Sequence, residues 1–374
     1  MAPDTEEGIA EAVRGAAGPL LVQGNGTKEA MLRPVQAAQT LSTSRLAGIT
    51  LYAPNELVMS ARAGTKLADV EAALAERGQQ MIGEPPHIHG PDQTIGGIFA
   101  TNLSGPRRVA GGAMRDHVLG VRAVNGKGEA QRFGGRVLKN VTGLDLAKFL
   151  TGSFGTLAIL TEITFKVLPA CEATGTIMVR GLDAEAAVRL MSAGLGSPFS
   201  VSAAAYLPAA RTAYLRIEDF SASVTYRTEK LGAQLREFGV AEIVGTEDSK
   251  ALWRDIRDCK PLASGEATWR ISAPPSAAPR ILRALEPHGI GGFLDWGGGL
   301  IWLSGPATQA AHHAVTQAAR AGGGVWWLMR APNPLRAAVD VVPAEPPALA
   351  AIAARVRAQF DPRGILNPGR LRAA

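Results

Sequence analysis

Two stretches of this chain, residues 175–245 and 267–330, pass through the same succession of local patterns. That internal repeat constrains the fold more than any other feature of the sequence. In the first stretch Thr176–Val179 reads as a strand and Asp183–Ala193 as a helix. Val201–Tyr206 and Ala213–Ile217 follow as strands, Ser221–Phe238 as a helix and Ala241–Val244 as a strand. In the second, Thr268–Ala273, Gly292–Trp296, Leu300–Leu303 and Val325–Met329 read as strands, with helices at Ser276–Glu286 and Thr308–Arg320. Each half has the order β-α-β-β-α-β, the ferredoxin-like succession, and a linking helix around Leu252–Arg257 separates them. Two such halves predict one antiparallel sheet with helices on one face.

The first 170 residues have another character, mixed α+β and punctuated by glycine. Pro19–Val22 is a short apolar run that enters a tight loop. Thr65–Arg77 reads as a helix capped by Thr65 and stopped by Gly78. Val118–Val124 and Ala130–Phe133 flank Asn125-Gly126, a signal for a tight hairpin turn. Thr156–Val167 is rich in β-branched residues and reads as strand. The tail from Phe360 to Arg370 holds two prolines and two glycines, so it is an irregular segment that must dock to be ordered. The division expected is therefore 1–170, then 171–335 with the two repeats, then a C-terminal segment at 336–374 that returns to the first part.

The glycines carry the chemistry. In Gly24-Asn25-Gly26-Thr27 successive backbone N–H groups can converge into a nest for a phosphate. A second run, Gln93-Thr94-Ile95-Gly96-Gly97-Ile98, continues to Thr101 and Ser104, which add hydroxyl donors. Two such loops can grip a pyrophosphate from both sides. A third, Gly152-Ser153-Phe154-Gly155-Thr156, sets small residues against a flat ring system or an adenosine. Gly24 and Gly26 are not followed by the third glycine of a dinucleotide fingerprint, and Gly126-Lys127 is followed by Gly128 rather than by Ser or Thr. Rossmann and P-loop sites are thus excluded.

Net charge is +6, but the basic residues are scattered and no run of five occurs, so a nucleic-acid partner is not expected. Two cysteines, Cys171 and Cys259, cannot hold an iron–sulfur cluster or build a disulfide framework. The acidic start, Met1-Ala-Pro-Asp-Thr-Glu-Glu, has no signal-peptide pattern, and no apolar run reaches the length of a membrane span. A cytoplasmic protein is expected.

Four passages in order, QGNGTK, TIGGIFATNLSGPRR, DHVLGVRAVNGKG and VLKNVTGLDLAKFLTGSFGTLAILTEITFKVLP, resemble the FAD-binding domain of the vanillyl-alcohol oxidase (PCMH-type) flavoproteins. The likeness covers about residues 1–170 and returns in the tail FDPRGILNPGR. Within that superfamily, Ser104-Gly105-Pro106-Arg107-Arg108 and the short length resemble the E-subunit branch of bacterial glycolate oxidases. The resemblance implies a PCMH-type domain of two α/β subdomains under a cap formed by the two repeats. It implies that Gly24, Asn25, Gly26 and Thr27 hold the pyrophosphate. Pro85, Thr94, Gly96, Gly97, Thr101 and Ser104 would line the flavin and diphosphate, Gly152, Gly155, Thr156 and Ile159 the ADP portion, and Asn367 the region of the ring. Many relatives tether the flavin through a His or Cys in the first loop. Here that loop has neither, so non-covalent FAD is expected.

Oxidation of a 2-hydroxy acid needs a hydride acceptor, a base and a cation for the carboxylate. His87, in His87-Ile88-His89, is the candidate base. Arg270 and Arg330, on matching strands of the second repeat, are the candidate carboxylate anchors, while His312 and His313 are expected to face solvent. No metal site is expected. The resemblance implies flavin-binding D and iron–sulfur F subunits as partners, glycolate as substrate, and a location that is cytoplasmic or peripheral at the inner face of the cell membrane through those partners. Two other readings stay open: a self-sufficient D-lactate or 2-hydroxy-acid dehydrogenase, and a non-catalytic flavin-binding assembly subunit.

Overall fold

The computed structural model describes residues 1–136, 144–262 and 265–373; the 137–143 part of the quoted motif lies outside them. The repeat forms one eight-stranded sheet. Its first half orders the strands Ala241–Val244, Ala173–Val179, Thr212–Asp219 and Ala203–Leu207; its second half orders Gly291–Asp295, Leu300–Gly305, Ala267–Ser272 and Val325–Arg330. Each half places its first strand between its third and fourth, and the two second strands meet at a seam where Tyr206 pairs with Leu294. Every pairing within this sheet is antiparallel.

Register separates the two faces. Trp269 and Ile271 point to the helical side, where Trp269 Nε1 donates to His312 Nδ1 at 3.1 Å. His312 is therefore buried rather than solvent-facing, whereas His313 is exposed. On the opposite side Arg270 sits directly between Trp302 and Trp327. Trp327 stacks on Phe154 with ring centroids 5.4 Å apart, so this face of the cap sheet lies against the glycine-rich part of the molecule.

That part has two layers. Leu20–Gln23 pairs in parallel with Gln39–Ser42, and the tail joins the edge through a bridge between Leu20 and Leu366. A six-stranded antiparallel sheet is built around the long strand Ala158–Pro169, which pairs with Val58–Arg62, Val118–Asn125 and Gln79–Met81. Two local expectations need correction. The helix spans Leu67–Ala75, and Thr65 does not cap it, because its hydroxyl donates to Arg62 O at 2.7 Å. The hairpin after Val124 is no tight two-residue turn, since Val124 pairs with Ala130 across five residues. Gly126 N–H is drawn away to Phe360 O at 2.8 Å, and a Cβ there would strike Asp361. A tertiary contact thus overrides the local turn preference.

Candidate cofactor and substrate site

The three glycine runs meet in one open groove of about 780 Å³. Gly24, Asn25, Gly26, Thr27, Thr94, Gly96, Gly97, Thr101, Gly155, Ile159 and Asn367 all line it. The backbone N–H groups of Gly26, Thr27 and Lys28 donate to no acceptor among the described residues. This is what an anion nest requires. Across from it, Thr94 Oγ1 accepts from Gly97 N–H at 3.2 Å and opens the helix Ile95–Thr101. A Cβ on Gly97 would lie 3.3 Å from that hydroxyl and 3.5 Å from Lys28 Nζ, so the glycine keeps space open between the two walls. Gly155 has φ +68°, and a Cβ there would come within 2.9 Å of Asn367 Nδ2. These observations fit a diphosphate-bearing cofactor lying along the groove.

Asn367 closes the groove. Its Oδ1 accepts from Val22 N–H at 2.7 Å, and its Nδ2 donates to Val22 O at 3.1 Å and Phe154 O at 3.0 Å. Pro85, Ser104, Gly152 and Thr156 do not line the groove. Ser104 accepts from Met114 N–H and donates to Asn102 O, and Thr156 donates to Ser153 O. Gly152 N–H goes to Phe99 O, and Pro85 is buried in the neighbouring loop.

Three cations that glycine-loop reasoning missed stand at or behind the groove. Lys28 Nζ donates to Gln93 Oε1 at 2.8 Å, and burial pushes it down to about 7. Arg370 lines the groove and donates to Lys28 O at 2.6 Å. Arg336 donates to Glu29 O and Leu32 O, both at 2.9 Å, and so fixes the far end of the nest loop. The signal for Arg370 was present in the tail motif, two residues after the Pro-Gly turn begins.

On the cap face that meets the glycine-rich part of the molecule, the Arg270 side chain makes no hydrogen bond to any described residue, and its Nε is buried. Its guanidinium lies 5.0 Å from the Trp296 ring centroid, and Arg108 lies 4.5 Å from the same centroid. Burial, reinforced by Arg108, pushes Arg270 down to about 10. An arginine held this way is unsatisfied until an anion reaches it. Arg330 is exposed and donates to Gly265 O at 3.1 Å. His87 is not brought to the groove. Its Nε2 is 2.9 Å from Glu71 Oε2, and its N–H donates to Asp258. The neighbour His89 instead keeps a buried, unpartnered Nε2. Burial, followed by the charges of Lys28, Arg330 and Arg370, holds it neutral at about 3. Among the described residues no group of three His, Cys, Asp or Glu side chains could hold a metal.

Residues 1–134 match the FAD-binding domain family. Glycolate oxidase subunit GlcE of Escherichia coli is 36% identical over 364 residues, covering 95% of this chain and 93% of that protein. The chain belongs to the GlcE family. A D-lactate dehydrogenase of Archaeoglobus fulgidus is 33% identical over 152 residues, 40% of this chain and 33% of that protein. Among solved structures, p-cresol methylhydroxylase with substrate bound superposes with a TM-score of 0.75 at 13% identity, covering 100% of this chain and 88% of that one. Alkyldihydroxyacetonephosphate synthase gives 0.70 at 15%, covering 98% and 75%. At those identities the likeness is one of fold. As a GlcE-family flavoprotein the chain is an FAD-binding oxidoreductase subunit with the PCMH-type architecture. Among its described residues no helix is long and apolar enough to cross a membrane.

Proposed function

We propose that this chain is the E subunit of a cytoplasmic glycolate-oxidising complex, working with a flavin-binding D subunit and an iron–sulfur F subunit. The observation that carries the reading is the match to GlcE along 95% of the chain, cap included. Residues 1–170 and 336–374 would form the flavin domain and 171–335 the cap. FAD would be held non-covalently by the free amides of the nest, the face of Gly97 and the Asn367 clasp, since residues 24–28 offer no His or Cys for a tether. When bound, it supplies the acceptor for the hydride that leaves the hydroxyl-bearing carbon.

The chain's own residues supply the rest. Arg270, a half-buried cation whose side chain has no hydrogen-bond or ion-pair partner among the described residues, binds the substrate carboxylate, and Arg330 adds positive charge at the same face. The pair of tryptophans beside Arg270 excludes water, which strengthens that ion pair. His87 already has Glu71, so the hydroxyl proton is assigned to His89 Nε2, whose basicity rises once a carboxylate offsets the surrounding cations.

Anaerobic flavin reduction tests the proposal. The purified chain should be yellow and release FAD on denaturation. Glycolate should bleach it fully only when the D and F subunits are present. Bleaching of the lone chain at the full rate would favour a self-sufficient dehydrogenase. A colourless protein with no flavin in the denatured supernatant would end the reading.

A further inference from the structure

The helix Pro347–Phe360 contains no buried residue. Helical spacing places Leu349, Ile352, Ala353, Val356 and Phe360 along one face, the pattern of a stripe that packs on something. Leu349 and Ile352 are each 55% exposed. Ala353 and Val356 are half-buried, and among the described residues the aromatic contact on the stripe is at its C-terminal end, where Phe360 meets Phe149 with centroids 6.0 Å apart; Phe149 is itself exposed. That end is firmly rooted: Phe360 O accepts from Gly126 N–H, and Asp361 accepts from Leu366 N–H at 2.7 Å. The whole helix is a rod about 21 Å long at 1.5 Å per residue, and its N-terminal part stands on the surface. A helix of this length is marginal on its own in water, and burial of an apolar face is what ordinarily supports one.

The charges say what kind of surface would cover it. No acidic residue lies between Pro347 and Phe360, while Arg355 and Arg357 are exposed and form no ion pair among the described residues. A second copy laid against this helix would bring two basic helices together with no acidic residue on either to offset them. A lipid surface fits poorly, because interfacial helices carry a densely charged polar face and bulky anchors. Here the opposite side is Ala350, Ala351, Ala354 and Ala358. Such small side chains let protein walls approach from both flanks.

We propose that Pro347–Phe360 docks into an apolar groove rimmed by carboxylates on another subunit of the complex, with Leu349, Ile352 and Val356 as anchors. The inference rests on the reading that this chain works within a complex. Helix-in-groove recognition uses this i, i+3, i+7 spacing.

The test is co-purification of the tagged full chain with co-expressed D and F subunits, comparing wild type, L349E/I352E and R355E/R357E. The double apolar variant should recover partner subunits at least tenfold less well. The charge-reversed variant should also weaken recovery, and its residual binding should lose the salt dependence of the wild type. Both variants, purified alone, should keep wild-type flavin content and Tm, because the altered side chains are exposed. If L349E/I352E loses flavin alone, R355E/R357E decides the matter by itself. Partner recovery that neither variant changes overturns this inference and leaves the subunit reading standing. A wild-type chain that recovers no partner overturns both. Dimerisation of the lone chain lost in L349E/I352E, or sedimentation with phosphatidylglycerol vesicles lost in the same variant, would assign the helix to another occupant and overturn it as well.

Discussion

Glu84→Gln tests how the cap is held over the groove. Glu84 takes both ends of the Arg216 guanidinium at 2.8 Å and also the backbone N–H of Arg107 at 2.8 Å. Arg107 in turn grips Glu218 at 2.8 and 3.1 Å, and Arg216 Nε reaches Glu218 at 3.2 Å. Glu84 and Arg107 come from the flavin side and Arg216 and Glu218 from a cap strand, so two acids and two bases cross the junction and balance. Burial pushes the Glu84 carboxyl up, but Arg216 and Arg107 outweigh it and hold the group at about 2. The drop from 4.5 to about 2 corresponds to roughly 3 kcal/mol at neutral pH. Removing one member of a buried ion pair typically costs about 3–5 kcal/mol, because the partner charge stays behind. Glutamine should therefore destabilise the fold by about 3–4 kcal/mol in urea unfolding at pH 7. A depressed carboxyl pKa gives stability that is present above pH 4.5 and lost as pH falls toward 2, so the gap between variant and wild type should narrow on acidification. Adding Arg216→Met should recover part of the loss, with a coupling of about 2 kcal/mol. A cost below about 1 kcal/mol at pH 7, or a coupling near zero, would refute the idea that this quartet fastens the cap.

Three further outcomes follow from the groove. Gly97→Trp should abolish flavin retention while leaving far-UV circular dichroism unchanged, since the indole would fill the space between Thr94 and Lys28; full flavin content would refute the placement. Asn367→Ala removes three hydrogen bonds to Val22 and Phe154 from a buried site and should cost about 2–4 kcal/mol, read by chemical denaturation, together with weaker FAD binding. Lys28, held at about 7 by burial, should take up a proton when a diphosphate arrives. FAD affinity should be level below pH 7 and decline, by up to about tenfold per pH unit, from pH 7 toward the ordinary lysine range. Lys28→Met should flatten that profile, and a flat wild-type titration between pH 7 and 9 would remove Lys28 from the phosphate site.

What could be read in advance was whatever the chain spells locally. The order of strands and helices in the repeat was legible because each element carries its own period. Gly24, Gly26 and Gly97 were legible because a residue without a side chain in a polar run signals close approach. Misreadings arose where a group was used at long range. Thr65 looked like a cap, but its hydroxyl bonds the backbone of Gly48, seventeen residues earlier, as well as Arg62 O. Asn125-Gly126 looked like a two-residue turn, but Phe360 takes the glycine amide from a position more than two hundred residues later. His312 was expected to face solvent with His313, yet it lies on the side of its helix that meets Trp269.

Arginine was the hardest residue to place, and the reason is physical. Its long stem and five donors let one side chain join segments that the sequence does not relate. Arg370 holds Lys28 O across 342 residues, Arg336 holds Glu29 O across 307, and Arg216 meets Glu84 across 132. Each looks like a surface charge until two layers are docked. The same fact sharpens the reading of Arg270. Arg216, Arg336 and Arg370 each place terminal donors on carbonyls or carboxylates of this chain, although Arg336 Nε is left unpartnered. Arg270, between Trp302 and Trp327 on the sheet, spends no side-chain donor on any described residue. Leaving guanidinium donors unused at a half-buried site costs stability, and that cost is the observation behind the proposed role of Arg270 as the anchor for an incoming anion.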